Sequence, residues 1–197
     1  MNGKSKHGLR AAMAAGVAGL LLTGCGGGGK SAATTPDGWG TLDTKRLSVA
    51  YPKGFKEAPV GKGNPYEVAR ATLTEGGVMV ASMSVEFDFG TGMHTADTAV
   101  IGAETRIQLG ATPAKTTEIQ VAGPDGSQEA RKITYSFTSR GKEGTPPKGT
   151  KLDGMMVTGV DTEQRPYLIT VNSKEGTLSN RDVSDIVDSV ALKKTKK

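Results

Sequence analysis

Cysteine occurs once in the 197 residues, at Cys25, tryptophan once and histidine twice. A single cysteine has no disulfide partner within the chain and supplies no thiolate set for a zinc site. Histidine this sparse removes most nucleophile–base pairs. Beyond the N-terminal region only His94 remains, in the run Phe89-Gly90-Thr91-Gly92-Met93-His94, with no second ligand type clustered near it. It reads as a surface residue of a turn, and Gly90-x-Gly92 has too few glycines for a dinucleotide fingerprint. Acidic residues are absent before Asp37. Long apolar runs are absent too: the twelve residues 11–22 span about 18 Å as helix, against roughly 30 Å of bilayer hydrocarbon.

The formal charge is +5 with a pI near 9.3, but the excess sits at the two ends. Setting aside Lys4, Lys6, Arg10 and the tail lysines Lys193, Lys194, Lys196 and Lys197 leaves 18 basic residues against 20 acids. The body is therefore close to neutral and lacks the clustered basic stripe that a phosphate backbone requires, so no nucleic-acid partner is expected.

What is present at the N-terminus is ordered like a targeting segment. A polar, basic stretch (1–10) precedes the uncharged apolar run (11–22), a pattern that predicts a secretory signal peptide rather than a permanent span. The run ends in Leu22-Thr23-Gly24-Cys25, which resembles the lipobox of bacterial lipoproteins. That resemblance implies cleavage before Cys25 and a diacylglyceryl thioether on its sulfur, anchoring the chain to the extracytoplasmic face of the cell membrane. Two acyl chains hold stably where one binds only marginally. Residues 1–24 are thus expected to be signal peptide and 25–38 the lipidated cysteine and a flexible tether, rich in glycine after Cys25. Such a coil of about 12 residues reaches roughly 20 Å.

Residues 39–192 read as one domain and 193–197 as a basic tail. Period-two alternation predicts strands at 47–51, 66–74, 78–89, 117–121, 128–138, 152–160 and 166–171. Six of these form hairpins around Glu75-Gly76-Gly77, Gly123-Pro124-Asp125-Gly126 and Asp161-Thr162-Glu163-Gln164. Helical spacing predicts a helix over 95–109, capped by Thr95, and another following the capping box Ser179-x-x-Asp182, with Val183, Ile186, Val187 and Val190 on one side. The order is α+β: a mostly antiparallel sheet of about seven strands with two main helices packed on it.

That order, together with Leu47-Ser48-Val49-Ala50-Tyr51-Pro52-Lys53-Gly54-Phe55, the strand 128–137 and the closing Asp185-Ile186-Val187-Asp188-Ser189-Val190, resembles the PsbP-like family, including LpqN-type lipoproteins of high-GC Gram-positive bacteria. Phe55 stands where that family tends to place tryptophan. The resemblance implies a PsbP-like sandwich with accessory or binding roles and no catalytic apparatus.

Residue by residue, little chemistry stands out. Glu86 and Asp88 are two apart on a strand and so share a face, expected to be the wet side of a half-covered sheet. The loop 140–151, with mixed charge and Pro146-Pro147, is a first candidate for a contact surface. The lysine tail is a second, towards anionic headgroups or wall polymers near the anchor. The five methionines after residue 30 suit either the core or an adaptable pocket. The expectation is a monomeric, non-enzymatic lipoprotein that binds another envelope protein without metal or cofactor. The alternative is a carrier of a small apolar or lipid ligand.

Overall fold

The computed structural model describes residues 33–107 and 110–194. The expected signal peptide, the lipobox Leu22, Thr23, Gly24 and Cys25, the first part of the tether and the last three residues of the tail lie outside the described residues.

Alternating apolar residues produce long strands here, and their hairpins join into a single sheet. The strands are β1 (Gly40–Asp43), β2 (Leu47–Tyr51), β3 (Lys56–Glu57), β4 (Glu67–Glu75), β5 (Val78–Phe87), β6 (Thr112–Gly123), β7 (Gly126–Thr138), β8 (Lys151–Val160), β9 (Pro166–Lys174) and β10 (Ala191–Leu192). Helix α1 (Ala96–Glu104) follows β5 and helix α2 (Asn180–Asp188) follows β9. The sheet order is β1-β2-β10-β6-β7-β8-β9-β5-β4-β3, antiparallel throughout except for the parallel pair β10 and β6.

This corrects the expected seven-strand PsbP-like sandwich. The seven anticipated segments are strands, but three short ones join them, and all ten belong to one sheet that curls into a nearly closed barrel. Strands of two to four residues are too short for alternation to register in a sequence. Long antiparallel strands carry right-handed twist, and over this many strands the twist accumulates into curvature. The consequence is visible in the core: Leu42 of β1 and Ala71 of β4, near opposite edges of the sheet, belong to one cluster with Met83, Val157, Tyr167 and Ile169. Leu178, Val183, Ile186, Val187 and Val190, on and around α2, fill the same interior. Every residue of this core lies between Trp39 and Leu192, so the domain carries its own core.

A second apolar cluster lies outside the barrel, where α1 covers β7, β8 and β9. Ile133, Tyr135 and Phe137 do face together, but outward, against Phe89, Ala99, Ala103, Met156 and Leu168. Alanines and Gly102 bring α1 close to the strands. Phe89 joins them because Asp88 takes φ 52, a left-handed conformation that ends the alternation of β5. Ala81, Met83, Val85 and Phe87 stay inward while Phe89 swings out.

Helix α1 stops at Glu104, short of the expected 109, where the Thr105 hydroxyl turns back to the Gly102 carbonyl at 2.7 Å. Both anticipated caps are present as reciprocal boxes, Thr95 with Thr98 and Ser179 with Asp182.

The strand directions define two rims. The chain enters β1 from the proximal rim, which also carries the β4–β5 turn, the β7–β8 loop and the end of β9. The distal rim carries the β1–β2, β6–β7 and β8–β9 turns and the end of β10.

Candidate functional site

The distal rim is organised by Arg46, in the β1–β2 turn. Nothing in the sequence marks this arginine as buried, yet its side chain is only 6% exposed. Nε donates to Asp161 Oδ2 at 2.5 Å, Nη1 reaches both oxygens of Asp88 at 2.9 and 3.0 Å, and Nη2 donates to the carbonyls of Arg165 and Pro166. The guanidinium also lies 4.3 Å from the centroid of Phe87. Every donor is occupied, as a buried guanidinium requires. Asp161 in turn accepts the backbone N–H groups of Glu163 and Arg165, fixing the β8–β9 turn.

Beside this network the sheet fails to close. A groove of about 680 Å³ runs between the β1–β2 turn and the start of β4, lined by Asp43, Lys45, Pro65, Tyr66, Val68 and Arg165 with the Arg46–Asp88 pair. Tyr66 and Val68 are 40% and 44% exposed, two of the four large apolar side chains exposed among the described residues. Adjacent exposed apolar groups at a groove mark a recognition surface more often than scattered single ones do.

Glu86 and Asp88 do not share a wet face. Asp88 pairs with Arg46, whereas Glu86 is buried, 2.9 Å from Arg106 and in register with Glu67 on β4. Glu67 is buried as well and pairs with Arg70 at 2.5 Å. Burial raises the Glu86 carboxyl above its ordinary range, against the opposing pull of Arg106 and Asn64 and with help from the Glu67 charge. The two glutamates are nineteen positions apart in a hairpin, so only the register of β4 and β5 could reveal them as neighbours. Each has its own arginine, and Arg106 rests over the rings of Tyr66 and Phe89. The Glu86–Arg106 pair ties the distal end of β5 to the segment after α1, whereas Glu67 and Arg70 pair within β4.

His94 is exposed, with Nδ1 3.3 Å from the Gln164 carbonyl. Among the described residues no group of three or more histidine, cysteine or acidic side chains is placed to hold a metal ion. The methionines divide: Met83, Met155 and Met156 are buried in the two cores, Met93 packs into the small residues Gly90 and Gly102, and Met79 lies at the proximal rim.

The 140–151 loop is a closed structure. Ser139 and Thr150 pair across its neck, the Ser139 hydroxyl donates to the Pro146 carbonyl at 2.5 Å, and the Gly144 carbonyl accepts from Met79 N at 2.8 Å. Such an Ω-loop packs on its own side chains. Beneath it lies a cavity of about 240 Å³ lined by Met79, Phe137, Arg140, Lys142, Pro146 and Leu152.

The lysine tail leaves from the other rim. Lys193 N donates to the Arg46 carbonyl, and its ammonium holds the Thr44 carbonyl and the Asp43 carboxylate.

No protein-family model matches the chain, and no curated protein matches it significantly. Several solved structures are similar to it, two of them as follows. LpqN of Mycobacterium tuberculosis, described as involved in cell envelope biogenesis, superposes with a TM-score of 0.47 at 9% identity, over 81% of this chain and 88% of LpqN. A protein of Bacteroides thetaiotaomicron VPI-5482 gives 0.44 at 11% identity over 75% of this chain, which spans 45% of that protein. The site geometry stands independently of both.

Proposed function

We propose that this chain is a membrane-anchored extracytoplasmic lipoprotein acting as a non-enzymatic binding module in the cell envelope, and that its distal groove receives a segment of another envelope protein. The anchor rests on the Leu22-Thr23-Gly24-Cys25 sequence. The binding face rests on one observation: Tyr66 and Val68 stand exposed beside a groove whose buried charges already satisfy one another. A catalytic group needs an unspent donor or acceptor aimed at substrate. Arg46 and Asp161 spend theirs on each other and on the backbone, leaving shape and apolar surface as what the groove offers. A partner segment with one apolar side chain between Tyr66 and Val68, and an acid near Lys45, fits that lining.

Two experiments test the two halves. Cys25→Ser is expected to abolish lipid labelling and membrane retention; a fully retained, unlabelled protein defeats the anchor. A photo-crosslinking residue at Val68 is expected to give a discrete adduct in intact cells, lost with Tyr66→Asp, whereas one at the exposed Ile101 of α1 gives none. Equal adducts at both sites defeat the groove.

The carrier reading has less support. Tyr167, Met83, Leu47 and Ile169 fill the barrel interior, and the Ω-loop cavity is smaller than the roughly 300 Å³ at which small-molecule sites begin, which leaves a small ligand only the open distal groove of about 680 Å³.

A further inference from the structure

The cations of the two rims are deployed differently. At the distal rim Arg46, Arg165 and Lys193 are each held by a carboxylate, while Lys45, Lys62 and Lys194 stand exposed around them. At the proximal rim Arg140, Lys142 and Lys148 of the Ω-loop, Lys151 at the start of β8 and Lys174 at the end of β9 are all exposed, and none has an ion-pair partner among the described residues. Lys53 and Lys56, after β2, extend the same rim. The acids interspersed there, Glu143 and Glu175 among them, are fewer than the cations. The Ω-loop and the strand ends beside it thus gather seven exposed cations, none of them ion-paired among the described residues, on one rim.

That end is also where the chain enters. β1 runs from Gly40 at the proximal side to Asp43 at the distal side, so the segment leading back to Cys25 departs on the side of the Ω-loop. The tether expected from the sequence has a reach of roughly 20 Å, short enough to let the rim come within the roughly 8–10 Å over which surface charge is felt. The loop itself is held in shape by Ser139 and by its bond to β5, so its cations are presented on a fixed scaffold.

We infer that the proximal rim is a membrane-facing surface that binds the anionic headgroups of a phospholipid bilayer through Arg140, Lys142, Lys148, Lys151 and Lys174. This rests on the lipoprotein reading for its orientation, since it makes lipid and basic surface two signals at one end, the combination that gives stable attachment. It also turns the Tyr66–Val68 groove away from the bilayer and removes the lysine tail, which starts at the distal rim, from the role of membrane contact.

The test uses residues 33–197, which carry the whole core and lack Cys25, so it is independent of lipidation. The probes are vesicles of phosphatidylcholine alone and vesicles containing a third of phosphatidylglycerol. The domain is expected to cosediment with the anionic vesicles only, and less so as salt rises. Arg140→Glu and Lys142→Glu are each expected to weaken binding by fivefold or more, since a single basic charge near the surface is equivalent to about 1 kcal/mol. Lys62→Glu, in the β3–β4 loop at the distal rim, leaves binding unchanged. Urea unfolding midpoints equal to the parent's confirm that the exposed substitutions leave the fold intact. Absence of binding to anionic vesicles, equal binding to both vesicles, or a Lys62→Glu loss matching Arg140→Glu overturns the assignment. Membrane loss by Cys25→Ser in cells, by contrast, reports on the anchor alone.

Discussion

Arg46 and Asp161, 115 residues apart, form a 2.5 Å hydrogen-bonded ion pair in which the two side chains are 6% and 1% exposed. The pair ties the β1–β2 turn near one edge of the sheet to the β8–β9 turn in its middle, and so holds the curled sheet in register at the distal rim.

Removing one partner leaves the other charge buried. Arg46→Ala is therefore expected to cost about 3–5 kcal/mol, read as a fall in the urea midpoint. Asp88→Asn, whose side chain is 54% exposed, is expected to cost about 1 kcal/mol or less. Equal losses for the two variants contradict the assignment of Asp161 as the principal partner.

Tyr167 is fully buried, its hydroxyl has no hydrogen-bond partner, and burial, with the nearby Asp161 charge, pushes its phenol far above the usual value. The sign follows directly: the unfolded chain ionises this tyrosine at about pH 10 while the fold keeps it neutral, so its contribution is fully present below that pH and lost as pH rises. Tyr167→Phe is expected to unfold less steeply above pH 10 than the parent, and to lose no stability at pH 7. Burial also pushes Tyr135 up, to about 12, against its hydrogen bond to Asn172, so the parent retains part of the slope. Identical alkaline profiles for parent and variant count against it.

Glu86 works in the opposite pH range. Its carboxyl is raised by burial, so the folded state disfavours its charge, a cost present at neutral pH and relieved as pH falls. Glu86→Gln is expected to gain stability relative to the parent between pH 4 and pH 7. A stability difference independent of pH excludes the raised carboxyl as the cause.

Gly154 on β8 lies beneath the Tyr135 ring; a Cβ there stands 2.2 Å from the ring carbon. An aromatic ring cannot yield as a flexible side chain can, so Gly154→Ala is expected to destabilise by about 1–3 kcal/mol. The control is Gly63→Ala, where a Cβ meets nothing and thermal melting shifts little.

Much of the local structure was legible in the residues themselves. The alternation at 78–87, 128–138 and 152–160, the turn glycines and the two capping residues Thr95 and Ser179 act over a few neighbours, so sequence alone determined those strands and helix starts. The proposed lipobox Leu22-Thr23-Gly24-Cys25 is likewise a matter of four consecutive residues. Tertiary structure decided the rest, because it depends on which distant segments meet. Alternation says that Ile133 and Tyr135 share a face but not whether that face is inside the barrel or under α1. A charge at Arg46 looks solvated until Asp161 and Asp88 arrive from other strands to compensate it. The net charge of the body averages to near zero in sequence, whereas strand direction gathers Arg140, Lys142, Lys148, Lys151 and Lys174 on one rim and the Arg46 ion pairs on the other. Curling brings β1 towards β4 and leaves the groove beside Tyr66 and Val68, since closure is set by accumulated twist over ten strands rather than by any single stretch of chain.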